Sequence, residues 1–385
     1  MDLDLSDEQR DLEEATRDVL EGEETVQLSR NVVEEKEGAA KAVDDLWSRL
    51  VALDWPALTV PEEFGGLGLG VVELAVVTEQ LGRSLAPGPF LSTASQFVTA
   101  IRVAGSDVQQ KKFLEPVARD GTTGSFALAE PGGTFDLDGI GTTFRAMRGS
   151  YLLDGVKGFV LEPTRAKNIV VAARQPDTSG SAGLGLFVVP SDDPNVEIQA
   201  MNVLDATREI GTVTLSNVRV EGENVLGNPG QLAPAITRVL LEATTALSAE
   251  MVGTCQGIVD ILLGYVKERE QFGVKIGSFQ AIKHKLANMY VTLEATRASV
   301  RFAAAAIDEN DPRAELAVSM AKSAVGDCER LIGVEGIQCL GGIGYTWEHD
   351  MHLYVKRIRT GAALFGTGAQ HRAKVADLIG LNLAD

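Results

Sequence analysis

The spacing of apolar residues changes twice along the chain, and this change limits the folds that the chain can adopt. In the first part apolar residues recur at helical spacing, as in VVELAVVTEQLGRSL from Val71. From about Gly121 the period becomes two, in short β-branched segments bounded by turns. Long amphipathic helices return from about Gly230. We predict an α+β fold of three domains: an N-terminal helical domain (1–120), a central β-domain (121–229) and a C-terminal helical bundle (230–385).

Local signals place several elements more closely. Ser6 and Gln9 have the spacing of a capping box ahead of a first helix. The prolines of LAPGPF predict a break before a helix over roughly Leu91 to Ala104, and a bundle helix is predicted over Leu232 to Glu268. The predicted strands are SFALA, YLLDG, KNIVVAAR, LGLFVV and GTVTLSNVRV.

Charge and cysteine content narrow the class of protein. A formal net charge of −19 argues against a general nucleic-acid binder, which needs a basic face. The negative net charge does not exclude an anionic cofactor, because a few local cations are enough to bind one. The three cysteines lack CxxC spacing, which is typical of reduced thiols. With an acidic start and no uninterrupted apolar run of about 18 residues, we expect a cytoplasmic protein without a membrane partner.

Six short motifs follow one another along the chain. They are LSDEQRDL, VPEEFGGLGLG, AEPGG, GVKGF, REQFG and QCLGGIG. In this order the chain resembles the acyl-CoA dehydrogenase family over nearly its whole length. The resemblance implies a central β-barrel domain, a C-terminal four-helix bundle, and usually a tetramer with FAD at a subunit interface. It also implies α,β-dehydrogenation of an acyl-CoA in β-oxidation, with an electron-transfer flavoprotein as the usual acceptor.

One half of the implied FAD site matches the family pattern. In REQFG, Arg269 and Phe272 stand where the family contacts the pyrophosphate and ring systems across the interface. A forked guanidinium suits a diphosphate, although an arginine that neutralises a helix end is the plainer alternative. The remaining matching positions are Phe279, Gln280, Gln338, Gly341, Gly342, Gly344 and Thr367.

The flavin-proximal half departs from the family pattern. Ala129 and Phe135 replace hydroxyl-bearing residues of the AEPGG region, and Leu161 replaces the threonine whose hydroxyl normally faces flavin N5. Glu162 and Pro163 then replace the usual Asn-Gly pair. The side chains of Ala129, Phe135 and Leu161 cannot donate a hydrogen bond.

The position of the catalytic base is altered too. The family's usual carboxylate position before the Gly-Thr pair holds Phe365, which accepts no proton. The alternative base position on the long bundle helix falls on Ala243, one residue from Glu242. A solvated carboxylate on the helix face is the plainer interpretation of Glu242. Glu250, two turns further on, is interpreted as a polar anchor inside the bundle.

Three hypotheses follow. The first is a heterotetramer in which this subunit supplies the pyrophosphate half-site and a homologous subunit supplies the isoalloxazine pocket and base. The second is a self-sufficient homotetramer with Glu242 as base, and the third is a scaffold or a flavin monooxygenase. The segment GIGYTWEHDMHLYVKRIR resembles actinobacterial members that act on bulky acyl-CoA esters, including those of steroid (cholesterol) side-chain degradation. His349 and His352 share a helix face, but no cysteine cluster accompanies them and no metal is expected.

Overall fold

The structure is a computed structural model that describes residues 4–381. The chain folds into two compact units. The helical unit comprises Met1–Ala39, Val71–Pro87 and Thr244–Asp385, and the sheet unit comprises Ala40–Gly70 and Gly88–Ala243.

The order of elements is helices, then strands, then helices. The helices are α1 Asp7–Gly22, α2 Thr25–Val33, α3 Ala39–Val51, α4 Val71–Arg83, α5 Phe90–Ser92, α6 Val98–Ala104, α7 Asp107–Asp120, α8 Ala233–Glu268, α9 Gln280–Asp308, α10 Ala314–Leu340, α11 Met351–Ala363 and α12 Gly368–Leu378. The strands are β1 Gly124–Ala127, β2 Thr143–Met147, β3 Ser150–Leu161, β4 Asn168–Arg174, β5 Leu184–Pro190, β6 Val196–Ala200, β7 Ile210–Glu221, β8 Val225–Gly230, β9 Glu270–Gln271 and β10 Val274–Lys275.

The predicted helix starts follow local hydrogen bonding. The Ser6 hydroxyl accepts a bond from the Gln9 amide at 3.2 Å, and the Gln9 side chain accepts one from the Ser6 amide at 2.9 Å. This confirms the capping box. The helix predicted between Leu91 and Ala104 is present as α5 and α6, joined by a π-helical turn at Thr93–Phe97 that periodicity did not indicate.

The sheet of the sheet unit has the strand order β6-β7-β3-β2-β4-β5-β8, with β1 pairing in parallel with β4. All five predicted strands are present, whereas β2, β6 and β8 were not predicted. The expected closed barrel is wrong for the described residues, because the pairing path runs from β6 to β8 without joining these two end strands. A short, polar β6 with a VEIQA sequence leaves this edge exposed.

Both faces of this sheet are covered in its middle. Along β4, Val170 and Ala172 enter one apolar cluster, while Ile169 and Val171 enter another. Alternate residues of a strand point to opposite faces, so the continuous apolar run of this strand is explained by burial on both sides.

Two glycines allow the helices α4 and α8 to approach closely within the helical unit. A Cβ atom added to Gly82 would lie 1.9 Å from the Glu250 carbonyl oxygen, and one added to Gly253 would lie 1.7 Å from the Glu79 carbonyl oxygen. Real Cβ atoms do not approach backbone this closely. The two backbones therefore touch only because both positions lack a side chain.

The C-terminal helices form a bundle in which α10 packs against α9, α11 and α12. Helix α8 is long and apolar enough to cross a membrane, but 78% of its most apolar window is buried within the protein. That degree of burial is typical of the core helix of a soluble bundle.

Candidate functional site

The REQFG motif forms an exposed hairpin at the end of α8. Strand β9 pairs with β10, and the turn between them contains Phe272 and Gly273 at φ +53° and +78°. The Phe272 side chain is 93% exposed, and its ring meets that of Phe279 edge-on with centroids 6.3 Å apart. Arg269 is also exposed at the base of the hairpin. The hairpin thus presents two aromatic rings and a guanidinium to a binding partner.

The glycine-rich turn lies next to this hairpin. The Tyr265 hydroxyl, one helical turn before Arg269, donates to the Leu340 carbonyl at 3.3 Å, directly before Gly341. A Cβ atom added to Gly341 or Gly342 would meet nothing within 4 Å. The backbone at this turn is therefore open to a ligand, and the structure brings the turn and the hairpin base together. Gln280 and Gln338 are likewise exposed.

Thr367 lies elsewhere in the same chain. Its hydroxyl caps α12 by accepting a bond from the Gln370 amide at 3.3 Å. The following residue, Gly368, packs against Gly326 in the middle of α10. Gly326 precedes Leu340 by 14 residues of helix, or about 21 Å along the axis. Thr367 therefore lies far along the bundle from the glycine-rich turn.

The altered flavin-proximal side chains belong to the apolar interior. Ala129 and Leu161 are buried, and Phe135 packs against the larger apolar cluster of the sheet unit. The Ala129 carbonyl accepts a bond from the Gly158 amide at 2.9 Å, and the Leu161 carbonyl accepts one from the Ser125 hydroxyl at 2.7 Å. These positions contribute packing and no side-chain donor.

The loop that carries the usual base position is held rigidly without a carboxylate. Phe365 is 8% exposed and has φ +57°. Its carbonyl lies 2.9 Å from Nε2 of His371, which is itself buried in α12. The aromatic side chain thus fills the position where a proton acceptor is expected.

Glu242 is fully buried and enclosed by donors within the sheet unit. Its Oε2 accepts bonds from the Thr99 hydroxyl at 2.8 Å and from Arg102 Nη2 at 2.5 Å. Its Oε1 accepts one from Arg238 Nε at 2.6 Å. The interpretation as a solvated carboxylate is wrong, because the side chain is 0% exposed. Both carboxylate oxygens are therefore already occupied by hydrogen bonds, two of which come from guanidinium groups.

Glu250 lies inside the helical unit as a polar anchor. Its Oε1 accepts a bond from Arg357 Nη1 at 3.0 Å, and the two side chains are 8% and 3% exposed. Because each charge would be costly alone in this interior, the pair ties α8 to α11.

The histidines of the GIGYTWEHDMHLYVKRIR segment make local contacts. His349 Nδ1 accepts a bond from the Met351 amide at 3.0 Å at the start of α11. The His352 ring stacks on Trp347 with centroids 4.5 Å apart. Both contacts stabilise the helix boundary.

An ion pair links two of the six motifs and was not predicted. Lys157 of GVKGF is fully buried and donates to Glu130 Oε1 of AEPGG and to the Leu128 carbonyl, both at 3.0 Å. Burial lowers the pKa of Lys157 to about 8, while the pKa of Glu130 is lowered by Lys157 and by hydrogen bonds from Thr142 against its desolvation. The only signal in the sequence is a lysine within the largely apolar segment GVKGFVL of β3.

Glu162, in the altered segment, is another buried carboxyl group. It has φ +49°, and its Oε1 accepts a bond from the Glu209 amide at 3.0 Å. Burial raises the pKa of Glu162 to about 7 from an ordinary value of 4.5. The neighbouring carboxylate of Glu209 acts in the same direction.

This raised pKa predicts a pH-dependent stability. Between pH 4.5 and 7 the folded protein binds the proton more readily than the unfolded chain. The contribution of Glu162 to the free energy of unfolding is therefore complete below pH 4.5, and it is lost as the pH rises through 7. Relative to wild type, Glu162→Gln is expected to gain about 2–3 kcal/mol in the free energy of unfolding between pH 5 and pH 8. Urea titrations at both pH values measure this, with the exposed Glu197→Gln as control; equal changes in both variants would contradict it.

Comparison with known proteins decides the family. Models for the acyl-CoA dehydrogenase N-terminal, middle and C-terminal domains match residues 6–121, 125–219 and 234–380. The chain belongs to the acyl-CoA dehydrogenase family. Members of this family are FAD-dependent oxidoreductases that act on the CH–CH bond of acyl-CoA thioesters. The family assignment and the three-domain fold predicted from the motifs are confirmed.

Individual relatives are similar at modest identity. A 3-(aryl)acrylate reductase of Clostridium sporogenes is 28% identical over 351 residues, covering 90% of this chain and 92% of the relative. The human mitochondrial short-chain specific acyl-CoA dehydrogenase is 29% identical over 324 residues, covering 83% and 78%. Among solved structures, the steroid ACAD Tcur3481-Tcur3483 superposes with a TM-score of 0.85 at 28% identity, covering 98% and 99%.

The described residues of this acyl-CoA dehydrogenase fit one half of FAD. The open glycine turn and the exposed Arg269 and Phe272 fit a diphosphate with its adjoining rings. The buried Ala129 and Leu161 supply no donor for the isoalloxazine. When bound, FAD supplies the hydride acceptor of the oxidation; in this chain the hairpin and glycine turn would hold its diphosphate end.

Proposed function

We propose that this chain is one subunit of a heteromeric acyl-CoA dehydrogenase, in which it holds the FAD pyrophosphate and adenosine end. A homologous partner subunit supplies the isoalloxazine pocket and the catalytic base in an α2β2 heterotetramer. The observation that carries the proposal is Phe365, which is buried at the usual base position. The alternative carboxylate, Glu242, is already bonded to two arginines.

The contrast between the two halves supports a shared site. A homotetramer needs both halves of the FAD site in every chain, whereas a heterotetramer needs each half once per working site. The exposed hairpin is suited to reach across a subunit interface, and the wide separation of Thr367 from the glycine-rich turn along α10 supports a site shared between two chains. The proposed contacts in this subunit are Arg269, Phe272, Phe279, Gln280, Gln338, Gly341, Gly342 and Thr367.

The substrate proposed is a bulky acyl-CoA, such as a steroid side-chain ester. The support is the GIGYTWEHDMHLYVKRIR segment and the similarity at 28% identity to a structure described as a steroid ACAD. We propose an electron-transfer flavoprotein as the acceptor and the cytoplasm as the location. The domain boundaries at 120/121 and 229/230 likewise remain predictions.

An absorbance spectrum of the purified chain, with FAD quantified per subunit, tests the proposal. The measurement is repeated after co-expression with a homologous subunit that carries a glutamate base. We expect no flavin on the chain alone and about one FAD per pair of chains in the complex. Full FAD occupancy and dehydrogenation of acyl-CoA by the chain alone would refute the heteromer. A complex without FAD would indicate a scaffold instead.

Glu242→Gln separates the heteromer from the self-sufficient enzyme. The substitution keeps the shape of the side chain and removes its capacity to take a proton at physiological pH. In the heteromer we expect turnover per bound FAD to stay within about twofold of wild type, because the partner subunit supplies the base. In the self-sufficient enzyme, loss of the base is expected to lower turnover on the order of 100-fold or more. Because the amide pairs less well with two arginines, some loss of thermal stability is expected as well. A large loss of turnover in a folded, flavin-loaded variant would assign the base to Glu242.

A further inference from the structure

The helical unit contains a cavity formed by residues with no role in the proposed FAD site. It is open to solvent on one side, has a volume of about 610 Å³ and is lined by parts of α1, α2, α4, α8 and α11. This volume lies in the range of small-molecule sites, which are concave, partly apolar and equipped with a few polar groups.

Two buried polar atoms at the cavity wall lack hydrogen-bond partners among residues 4–381. The Gln80 side chain is 3% exposed, and its Nε2 donates to Glu13 Oε1 at 3.2 Å, but its Oε1 accepts no bond. Arg17 Nε has no acceptor. Each buried group without a partner costs about 1–3 kcal/mol. A ligand that offers a donor to Gln80 and an acceptor to Arg17 removes both penalties.

Three of the charged residues lining the cavity, Arg83, Asp260 and Asp350, are already neutralised by ion pairs. Asp260 pairs with Arg83 at 2.7 Å, and Asp350 pairs with Arg30 at 2.6 Å. Both pairs lie within the helical unit. They shape the wall but leave little charge for a ligand.

The remaining charged residues favour a ligand with charges of both signs. Glu21 and Glu24 line the cavity without an ion pair in the described part of the chain, as does Arg17. The wall therefore offers two carboxylates and one guanidinium. Leu20 and Ile261 add an apolar surface beside them. A carboxylate on the ligand complements the arginine, and cationic groups complement the glutamates.

We propose that this cavity binds a basic amino acid or a zwitterion of the same charge pattern. The ligand carboxylate pairs with Arg17, and its cationic groups pair with Glu21 and Glu24. An ammonium N–H donates to Gln80 Oε1, and the aliphatic stem lies on the apolar wall. The residues that line this cavity are distinct from those of the proposed flavin half-site.

Calorimetric titration of the full chain, or of its complex where the two chains purify together, tests this. L-arginine is expected to bind with saturation. Agmatine lacks the carboxylate and norvaline lacks the side-chain cation, so both are expected to bind at least about tenfold more weakly. Absence of binding by L-arginine overturns the proposal. If agmatine binds as tightly as L-arginine, the proposal of a zwitterionic ligand is overturned, because Arg17 would then make no contribution to binding.

Variants of the wall provide the structural control. Gln80→Leu and Arg17→Gln are each expected to weaken L-arginine binding by at least about tenfold. Glu14→Gln, on the exposed face of the same helix α1, is expected to leave it unchanged. Arg17 is only partly buried, so its variant tests the site even if the buried Gln80→Leu fails to fold. Binding equal to wild type in both folded wall variants overturns the proposal, and FAD content serves as an independent readout of the proposed function.

Discussion

Replacement of Arg269 by glutamine is expected to weaken FAD binding to the assembled complex by about 10- to 100-fold. This range corresponds to the loss of a charge-assisted hydrogen bond worth about 1.5–3 kcal/mol. The exposed hairpin that carries this residue has no structural need for a guanidinium, since neither ion pair nor hydrogen bond from its side chain holds it within the described residues. Fluorescence titration of the apo-complex with FAD measures the change.

Arg148→Gln provides a matched control for this experiment. Arg148 is likewise an exposed arginine of a hairpin, and it lies in the turn between the paired strands β2 and β3. Its replacement is expected to leave FAD affinity unchanged. Arg269→Lys should fall between wild type and Arg269→Gln, because an ammonium keeps the charge but not the forked geometry. If FAD affinity is the same in all variants, the hairpin does not contribute to the FAD site.

Glu250→Ala is expected to lower the free energy of unfolding by about 3–5 kcal/mol. The substitution removes the carboxylate that accepts a bond from the Arg357 guanidinium, which is 3% exposed. Chemical denaturation of the full chain measures the loss. Glu315→Ala is the control, because this residue forms a half-exposed pair with Lys374, and exposed pairs are worth about 0–1 kcal/mol.

The double variant Glu250→Met with Arg357→Met separates an unpaired charge from a packing defect. Replacement of both partners by apolar side chains of similar size is expected to recover most of the stability lost in Glu250→Ala. If the double variant is as unstable as the single one, the loss arises from helix packing between α8 and α11 and the electrostatic explanation is wrong.

The parts of the fold that depend on neighbouring residues were predictable from the sequence. The capping box at Ser6 and the bounds of α8 follow from local hydrogen bonding and periodicity. Strand β6 was missed because its VEIQA sequence, although it alternates apolar and polar residues, is only five residues long and largely exposed. Closure of the sheet was predicted wrongly, since closure depends on pairing between distant strands.

The candidate site shows the same division between local and distant information. The motif around Arg269 and the loss of a base at Phe365 can be read from single positions. The environment of Glu242 cannot, because its partner Arg102 lies 140 residues away in sequence. Whether a carboxylate is a base, an anchor or a solvated charge depends on what surrounds it, and helix periodicity alone gave the wrong surroundings.

The close approach of α4 and α8 at Gly82 and Gly253 also affects how genetic variation in this chain is interpreted. Every single-nucleotide change in a glycine codon that alters the amino acid adds a side chain or stops translation. Each backbone oxygen would then lie within 2 Å of the new carbon. In a saturation-mutagenesis scan these two codons will therefore tolerate no missense change, although neither glycine belongs to the proposed FAD site. Intolerance at such positions reports a steric limit of the helix pair, and it is no guide to chemistry.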